Sequence, residues 1–381
     1  MAKAPNPLFR ENFQRCFHVS GEINQATLDR LTPEIQRLRG QSGDPITVFI
    51  DCPGGSTWHA EALLRLLKTQ TQDGVSCRII TVVTTLAASA AADILAAGDY
   101  AIAYPAAIIL YHGIRQRTSQ AVTTETASQL VETLRKSNED FALQLANRCI
   151  DRFCFNYVGL RGEFGTVRQK QGDQNLSDID CLALSLQERM PRLSRVPKEA
   201  LRRQTLNAAL TNFVDQKLSA RVEITPETRS AEVEAAILQA IVQYELDTHP
   251  DVDWTLSSGG MRRIQEDFTL LREYHSPEHD AKLATLIDQY GIFILTQEER
   301  QRYDNLAQAD KPDWLSRATL ERVRALWYFY VSICRLLQEG ENYMTPAEAY
   351  WLGLVDEVIG SSLPSVRTIL EADETPGPNE G

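Results

Sequence analysis

Residues 78–113 decide the fold, and they read RIITVVTTLAASAAADILAAGDYAIAYPAAIILYHG. The β-branched run RIITVVTT predicts a strand, and the small residues after Ala87 predict a helix. The segments DYAIAYP and IILYHG then predict two further strands. Each strand that precedes a helix ends on small or polar residues, and a site could form there.

The same alternation continues upstream. CFHVSGEI and ITVFIDCPGG predict strands, and helices are predicted at about 25–39 and 59–70. Strands that alternate with helices of this length indicate βαβ units and a mainly parallel sheet with helices on its faces. Ligand sites in such sheets lie beyond the carboxyl ends of the strands, where the sequences PGG, AAS and YHG fall.

Downstream, from about residue 118 to 340, the sequence becomes helical and charged. A long amphipathic helix is predicted at 125–153, and further helical patterns follow. They cover residues 197–219, 230–246, 265–274, 278–291 and 318–340. From about Tyr343 to Leu370 the pattern returns to a short capped helix, a glycine turn and a strand, before a polar, proline-rich end.

The overall composition excludes several classes of function. The net charge is −12, so the molecule as a whole repels phosphate backbones and anionic membrane surfaces. The seven cysteines form no CxxC pair, as expected for reduced thiols in the cytosol. No secretory signal or membrane-spanning segment is evident, so we expect a cytoplasmic protein with no nucleic-acid or membrane partner.

Three short motifs carry candidate chemistry. In Asp51–Ser56, paired glycines after a strand can turn a backbone N–H outward towards a substrate oxygen, although a plain strand-to-helix turn has the same pattern. Ser89 lies among alanines that allow close approach, and His112 ends an apolar strand, which suits a general base. Taken singly, Ser89 could equally be a small core residue and His112 a polar strand end.

The order of these motifs resembles that of the Clp protease proteolytic subunit and its ClpP/crotonase-fold relatives. The shared features are the PGG turn, the AASAA segment, the LAAG run, the YHG strand end and, far downstream, MTPAEAYWLGLVDEVI. The resemblance covers roughly residues 17–150 and 341–360. It implies an α/β fold of stacked ClpP/crotonase-like βαβ units, here with a large all-helical insertion.

The resemblance also implies the roles of individual residues. Ser89 becomes the nucleophile and His112 the base, and the triad acid falls at Glu341, with Glu339 as a close rival. The oxyanion donors are implied at Gly54 or Gly55 and at Ala90. No metal or other cofactor is expected.

Two departures from the family pattern stand out. The family usually has glycine four residues before the nucleophile, where this chain has Thr85, which could reshape the turn. A helical insertion at roughly 155–325 separates the base from the acid. We therefore expect a first core segment at 1–150 with a long helix from about 120, an insertion at 151–330, a last core segment at 331–370 and a flexible tail at 371–381.

The resemblance implies a serine endopeptidase that cleaves peptides or unfolded proteins through an acyl-enzyme. It further implies a homo-oligomeric ring and a separate unfoldase ATPase, since the chain has no Walker A pattern. The alternative is an inactive Clp-like scaffold or regulatory subunit that binds partners through its helical insertion. A crotonase-type acyl-CoA enzyme fits less well, because that chemistry needs no serine–histidine pair.

Two features of the insertion have ordinary explanations. His275 and His279 have metal-compatible i,i+4 spacing, but Pro277 lies between them, so solvated polar residues are the better interpretation. The basic run at 192–203 could attract an anionic partner, yet such runs usually form a solvated helix face.

Overall fold

The computed structural model describes residues 6–70, 74, 76–116, 123–219, 233, 235–240, 242–243 and 277–373. The strands are β1 Cys16–Ser20, β2 Ile46–Cys52, β3 Ile79–Ala88, β4 Tyr100–Ala103, β5 Ile108–His112, β6 Glu341–Met344 and β7 Glu357–Val358. The first helices are α1 Gln25–Gln41, α2 Thr57–Lys68, α3 Ala90–Ala96, α4 Thr124–Leu160, α5 Phe164–Gln171, α6 Asp178–Arg189 and α7 Arg195–Ser219. The later helices are α8 Pro277–Ile294, α9 Gln297–Asp304, α10 Lys311–Leu337, α11 Pro346–Trp351 and α12 Val366–Asp373.

The strands form one sheet in the order β1-β2-β3-β4-β7, and β5 pairs with β3 and β6. All pairs are parallel except β5 with β6. Strand β3 pairs with β4 along its first half and with β5 along its second half. Its continuous apolar start is buried, as expected of a strand covered on both faces.

Strand β3 bulges just before it reaches the AAS motif. Ile50 pairs with Val83 and Cys52 pairs with Ala87, so one residue of β2 lies opposite three of β3. Thr85 lies in this bulge with an exposed side chain. Ser89 is the sole described non-glycine residue with positive φ, so Thr85 adopts a backbone conformation that does not require glycine. The departure at Thr85 is therefore accommodated by the bulge.

The helical region joins the sheet through two long helices. Helix α4 packs against α10, and the buried side chains of Glu139 and Arg335 form an ion pair between them. Helix α10 ends at β6, where the buried Asn342 amide donates to the carbonyl oxygens of Leu336, Leu337 and Glu339. A residue of the sheet thus caps the last helix of the insertion, because helix C-termini leave carbonyl groups without helical partners.

The end segment also fixes the helical region to the core. Glu348 is buried, and its carboxylate accepts from the N–H and hydroxyl of Thr345 and from the backbone N–H of Arg192. Asp356 accepts from the backbone N–H of Ala101 and forms an ion pair with Arg152 at 2.7 Å. Both carboxylates therefore hold neighbouring segments together.

The predicted fold class is confirmed: a mainly parallel sheet with helices is joined to a large helical region. The expected divisions at 150 and 330 fall inside helices α4 and α10, so each helix runs through from core to insertion without a break. The predicted helix at 265–274 and eight of the 17 residues of the one at 230–246 lie outside the described residues, as do His275 and residues 374–381. Residues 371–373, expected in the tail, belong to helix α12.

One expectation about the insertion was wrong. His279 is not solvated: it is 3% exposed and lies against Trp327, with ring centroids 5.4 Å apart. The basic run is mainly a solvated face, as expected, since Arg192, Lys198 and Arg202 are exposed. Arg195 also donates to the Asn342 side chain, and Arg203 forms an ion pair with Glu339. At His279, packing against Trp327 of α10 overrides the polar sequence around it.

Candidate active site

Ser89 lies on the turn between β3 and α3, with φ 56° and ψ −129°. This is the left-handed region that side chains rarely adopt, and such conformations persist only where surrounding structure holds them. The hydroxyl makes no capping hydrogen bond to its helix, unlike a usual serine N-cap, and the side chain is partly exposed. The hydroxyl is therefore available for chemistry.

The glycine turn packs directly on this serine. A Cβ added to Gly54 would lie 2.5 Å from the Ala88 carbonyl oxygen and 2.8 Å from Ser89 Cβ. Gly54 has φ 95° and Gly55 has φ 149°, which side chains also disfavour. Only glycine at Gly54 lets the two turns approach this closely.

Gly55 and Ala90 offer backbone donors beside Ser89. The carbonyl of Gly54 and the N–H of Ser56 both bond to Ile23, so the intervening Gly55 peptide N–H faces the opposite side. The Gly54 N–H is directed to Cys52 Sγ, at 3.3 Å. Ala90 begins helix α3, and the first N–H groups of a helix have no partner within it.

His112 ends the strand that neighbours Ser89. The Ser89 N–H donates to the Leu110 carbonyl at 2.8 Å, which extends the β3–β5 pairing to the residue two before His112. His112 is partly buried, and its Nδ1 lies 2.6 Å from the carbonyl oxygen of Gly113. Ser89 and His112 are thus placed at the ends of adjacent paired strands.

The two candidate acids face different surroundings. Glu341 lies opposite His112 in the β5–β6 register, but its carboxylate accepts from Arg115 at 2.5 Å and from the Tyr343 hydroxyl at 3.3 Å. The Arg115 hydrogen bond and charge hold the pKa of Glu341 below its usual range. Glu339 lies on the turn after α10 and forms an ion pair with Arg203 at 3.0 Å.

Cys52 also lies near Ser89, but it is a poor rival nucleophile. Its side chain is buried, and burial raises the pKa of its thiol. The neutral thiol is much less reactive than a thiolate. Among the groups at this edge of the sheet, Ser89 therefore remains the candidate nucleophile.

Sequence reasoning missed Asp93, one turn into α3. Burial raises the pKa of its carboxyl to about 7, and nearby Glu61 adds to the rise, whereas Arg148 and the Tyr111 hydroxyl oppose it. A lone aspartate within the apolar run ADILAA was the available signal. Sequence reasoning also missed Asn138, whose side chain accepts from the Ile114 N–H at 2.7 Å just after the histidine.

A serine on a left-handed strand-to-helix turn, beside a histidine at a strand end and a glycine turn, is typical of serine hydrolases. The family model described as Clp protease matches residues 8–150. This part of the chain is accordingly similar to the Clp protease family, and most of the helical region lies beyond the match. No curated protein was found to match the chain. Within the described residues, no helix combines the length and apolar character needed to cross a membrane.

Proposed function

We propose that the protein is a serine endopeptidase that hydrolyses peptide bonds through an acyl-enzyme. The observation that carries this proposal is the backbone of Ser89, held with φ 56° at the start of α3 and hydrogen-bonded to the strand that ends in His112. A conformation of this kind costs on the order of 1–3 kcal/mol and is typical of functional sites. The Clp protease family match supports the same class of reaction.

Ser89 Oγ attacks the carbonyl carbon of the scissile peptide, and Nε2 of His112 takes the hydroxyl proton. Negative charge develops on the carbonyl oxygen, where the N–H groups of Gly55 and Ala90 stabilise it. The tetrahedral intermediate collapses as His112 gives its proton to the leaving amine. Water then attacks the acyl carbon while His112 takes its proton. As the bond between the acyl carbon and Ser89 Oγ breaks, His112 returns that proton to Oγ, and the acyl group leaves as a carboxylic acid.

Glu341 enters this scheme differently from a usual triad acid. Its carboxylate lies opposite His112 in the register but binds Arg115. The ion pair supplies an almost neutral neighbour to the imidazole rather than a full negative charge. We therefore give Ser89 and His112 the chemical roles and do not assign the orientation of His112 to Glu341.

The family match also supports proteins or peptides as substrates, together with a homo-oligomeric assembly and delivery of chains by a separate unfoldase ATPase. Light scattering on the full chain tests the assembly, and a monomer at micromolar concentration would contradict it. The oligomeric form should cleave short peptides without any ATPase. Folded proteins should remain intact under the same conditions.

Intact-mass analysis after treatment with a fluorophosphonate tests the reaction. Wild type and Ser128→Ala, a matched change at an exposed serine of α4, should each take one adduct. Ser89→Ala and His112→Ala should take none. An adduct that persists on Ser89→Ala would assign the reactivity to another residue. Folded wild type that takes no adduct would favour the inactive scaffold that binds through its helical region.

A further inference from the structure

We propose that the main-chain carbonyl of Gly113 orients His112, and that Asn138 is the positioning residue that holds this carbonyl in place. The inference rests on the proposed function for its catalytic meaning. It assigns to a backbone group and a helix side chain the task that a carboxylate performs in the usual triad. Four sets of contacts carry it.

The first is the bond of the imidazole itself. His112 Nδ1 lies 2.6 Å from the Gly113 carbonyl oxygen. A carbonyl oxygen can only accept, so Nδ1 must carry the proton and donate. In the neutral ring this leaves Nε2 as the acceptor, which is the form a general base needs to receive a serine proton.

The second set concerns Glu341, the alternative partner for the His112 imidazole. In the described part of the chain, the side-chain hydrogen bonds of Glu341 go to Arg115 and Tyr343. The one side-chain hydrogen bond of His112 there goes to Gly113. The effect of His112 on the pKa of Glu341 is also smaller than that of Arg115.

The third is the support of the turn that presents the carbonyl. A Cβ added to Gly113 would lie 2.6 Å from the Gln338 carbonyl oxygen and 2.9 Å from Asn138 Nδ2, so the turn is wedged between α4 and the end of α10. Asn138 Oδ1 accepts from the Ile114 N–H at 2.7 Å. That N–H belongs to the same peptide group as the Gly113 carbonyl, so the Asn138 bond fixes the plane in which the carbonyl points.

The fourth is the anchoring of the two helices. Glu139, next to Asn138 on α4, accepts two hydrogen bonds from Arg335 of α10, and both side chains are about nine-tenths buried. Gln338, which contacts Gly113, directly follows the last residue of α10. The carbonyl that orients His112 is thus held by the junction between the family core and the helical region.

The test combines two readouts on the full-length protein. Selective ¹⁵N labelling of the six histidines reports the tautomer at about pH 9, where an ordinary imidazole is neutral. His112→Asn assigns the signals. Wild type should show a pyrrole-type Nδ1 and a pyridine-type Nε2 at His112. The rate of fluorophosphonate labelling reports the reactivity of Ser89.

Asn138→Ala should weaken the Nδ1–H signature and slow labelling by about 10–100-fold, the range expected for misplacement of a reacting group. Asn138→Asp keeps an oxygen acceptor for the Ile114 N–H and should restore most of both readouts. Asn147→Ala, a matched change at an exposed asparagine of the same helix, should leave both readouts as in wild type. Glu341→Gln should cost less labelling than Asn138→Ala.

An Nε2–H tautomer at His112 in wild type would overturn the inference, as would a Glu341→Gln variant that loses labelling as completely as His112→Ala. Equal losses of labelling rate in Asn138→Ala and Asn138→Asp would also contradict it. The oxygen acceptor that Asn138→Asp keeps for the Ile114 N–H would then make no difference. These outcomes differ from failure of the proposed function. In that case wild type takes no adduct, and the tautomer measurement decides the inference by itself.

Discussion

Glu341 lies directly opposite His112 across the β5–β6 pair, yet its carboxylate binds the guanidinium of Arg115 at 2.5 Å. Directly opposed side chains on antiparallel strands are close neighbours, so His112 is also near Glu341. The Glu341 carboxylate binds Arg115 because of the local charges and not because of distance alone. Arg115 follows the histidine on the same segment as Gly113. The strand end therefore carries both His112, the proposed base, and Arg115, the cation that neutralises Glu341.

Arg115→Gln should raise the pKa of Glu341 towards the ordinary value for glutamate, about 4.3, because the variant loses both the hydrogen bond and the positive charge that lower it. An NMR titration of the Glu341 side-chain carboxyl measures this change. Arg65→Gln, at another exposed arginine, provides the control. A pKa of Glu341 that is equal in wild type and Arg115→Gln would show that the ion pair does not persist in solution.

Gly54→Ala should destabilise the protein by about 2–4 kcal/mol and abolish labelling of Ser89, because the new methyl group meets backbone and Ser89 Cβ at a positive φ. Gly40→Ala supplies the matched control. Gly40 lies in helix α1, and a Cβ there would meet nothing within 4 Å. This control should gain about 0.5–1 kcal/mol. Denaturant unfolding measures both variants, and normal labelling of Gly54→Ala would contradict the close packing of the two turns.

Asp93→Asn should stabilise the protein in a pH-dependent way. The folded-state pKa of Asp93 is about 7, above the unfolded value of 3.8, so the folded state favours the protonated carboxyl. Its contribution to stability is fully present below pH 3.8 and is lost as pH rises through 7. Asparagine stays neutral, so the gain over wild type should be small at pH 4.

At pH 8 that gain should reach on the order of 2–4 kcal/mol, since one pKa unit corresponds to about 1.4 kcal/mol and the partly exposed edge of Asp93 allows some screening by water. Thermal unfolding at the two pH values measures it. The exposed Asp140→Asn on α4 should change stability by less than about 0.5 kcal/mol at either pH. A gain for Asp93→Asn that is the same at both pH values would contradict the raised pKa.

Glu139→Gln should cost about 3–5 kcal/mol, because it leaves the buried Arg335 guanidinium without its charged partner. The double variant Glu139→Leu/Arg335→Met should cost less than the two single changes together, since it removes both charges. Glu34→Gln, which breaks an exposed pair with Arg37, should cost under about 1 kcal/mol. Denaturant unfolding distinguishes these cases, and strictly additive costs would show that the buried pair is not coupled.

The sequence allowed the sheet and the position of Ser89 to be predicted because both depend on local patterns. Apolar β-branched runs, the PGG turn and the alanines around Ser89 each restrict the backbone within a few residues. The bulge at Thr85 could not be predicted, because it arises from unequal lengths of β2 and β3 between two fixed pairs.

The surroundings of His112 depend on residues that are far apart in the chain. Asn138 and Gln338 meet Gly113 only once α4 and α10 have packed together, and no local pattern reports that contact. A glycine directly after the histidine was the one signal of close approach. For His279, the spacing to the buried Leu283 and Leu286 could have shown that it lies on the apolar face of α8.

The cap formed by Asn342 limits how this chain can be shortened. A shortened chain made by joining residue 160 to residue 340 would discard Arg195 and α10. The Asn342 amide would then lose the Leu336 and Leu337 carbonyl groups that it binds. Gly113 would lose its contact with Gln338 in the same step. The helical region is therefore an integral wall of the proposed active centre, and a shortened chain would have to build this side of His112 from other residues.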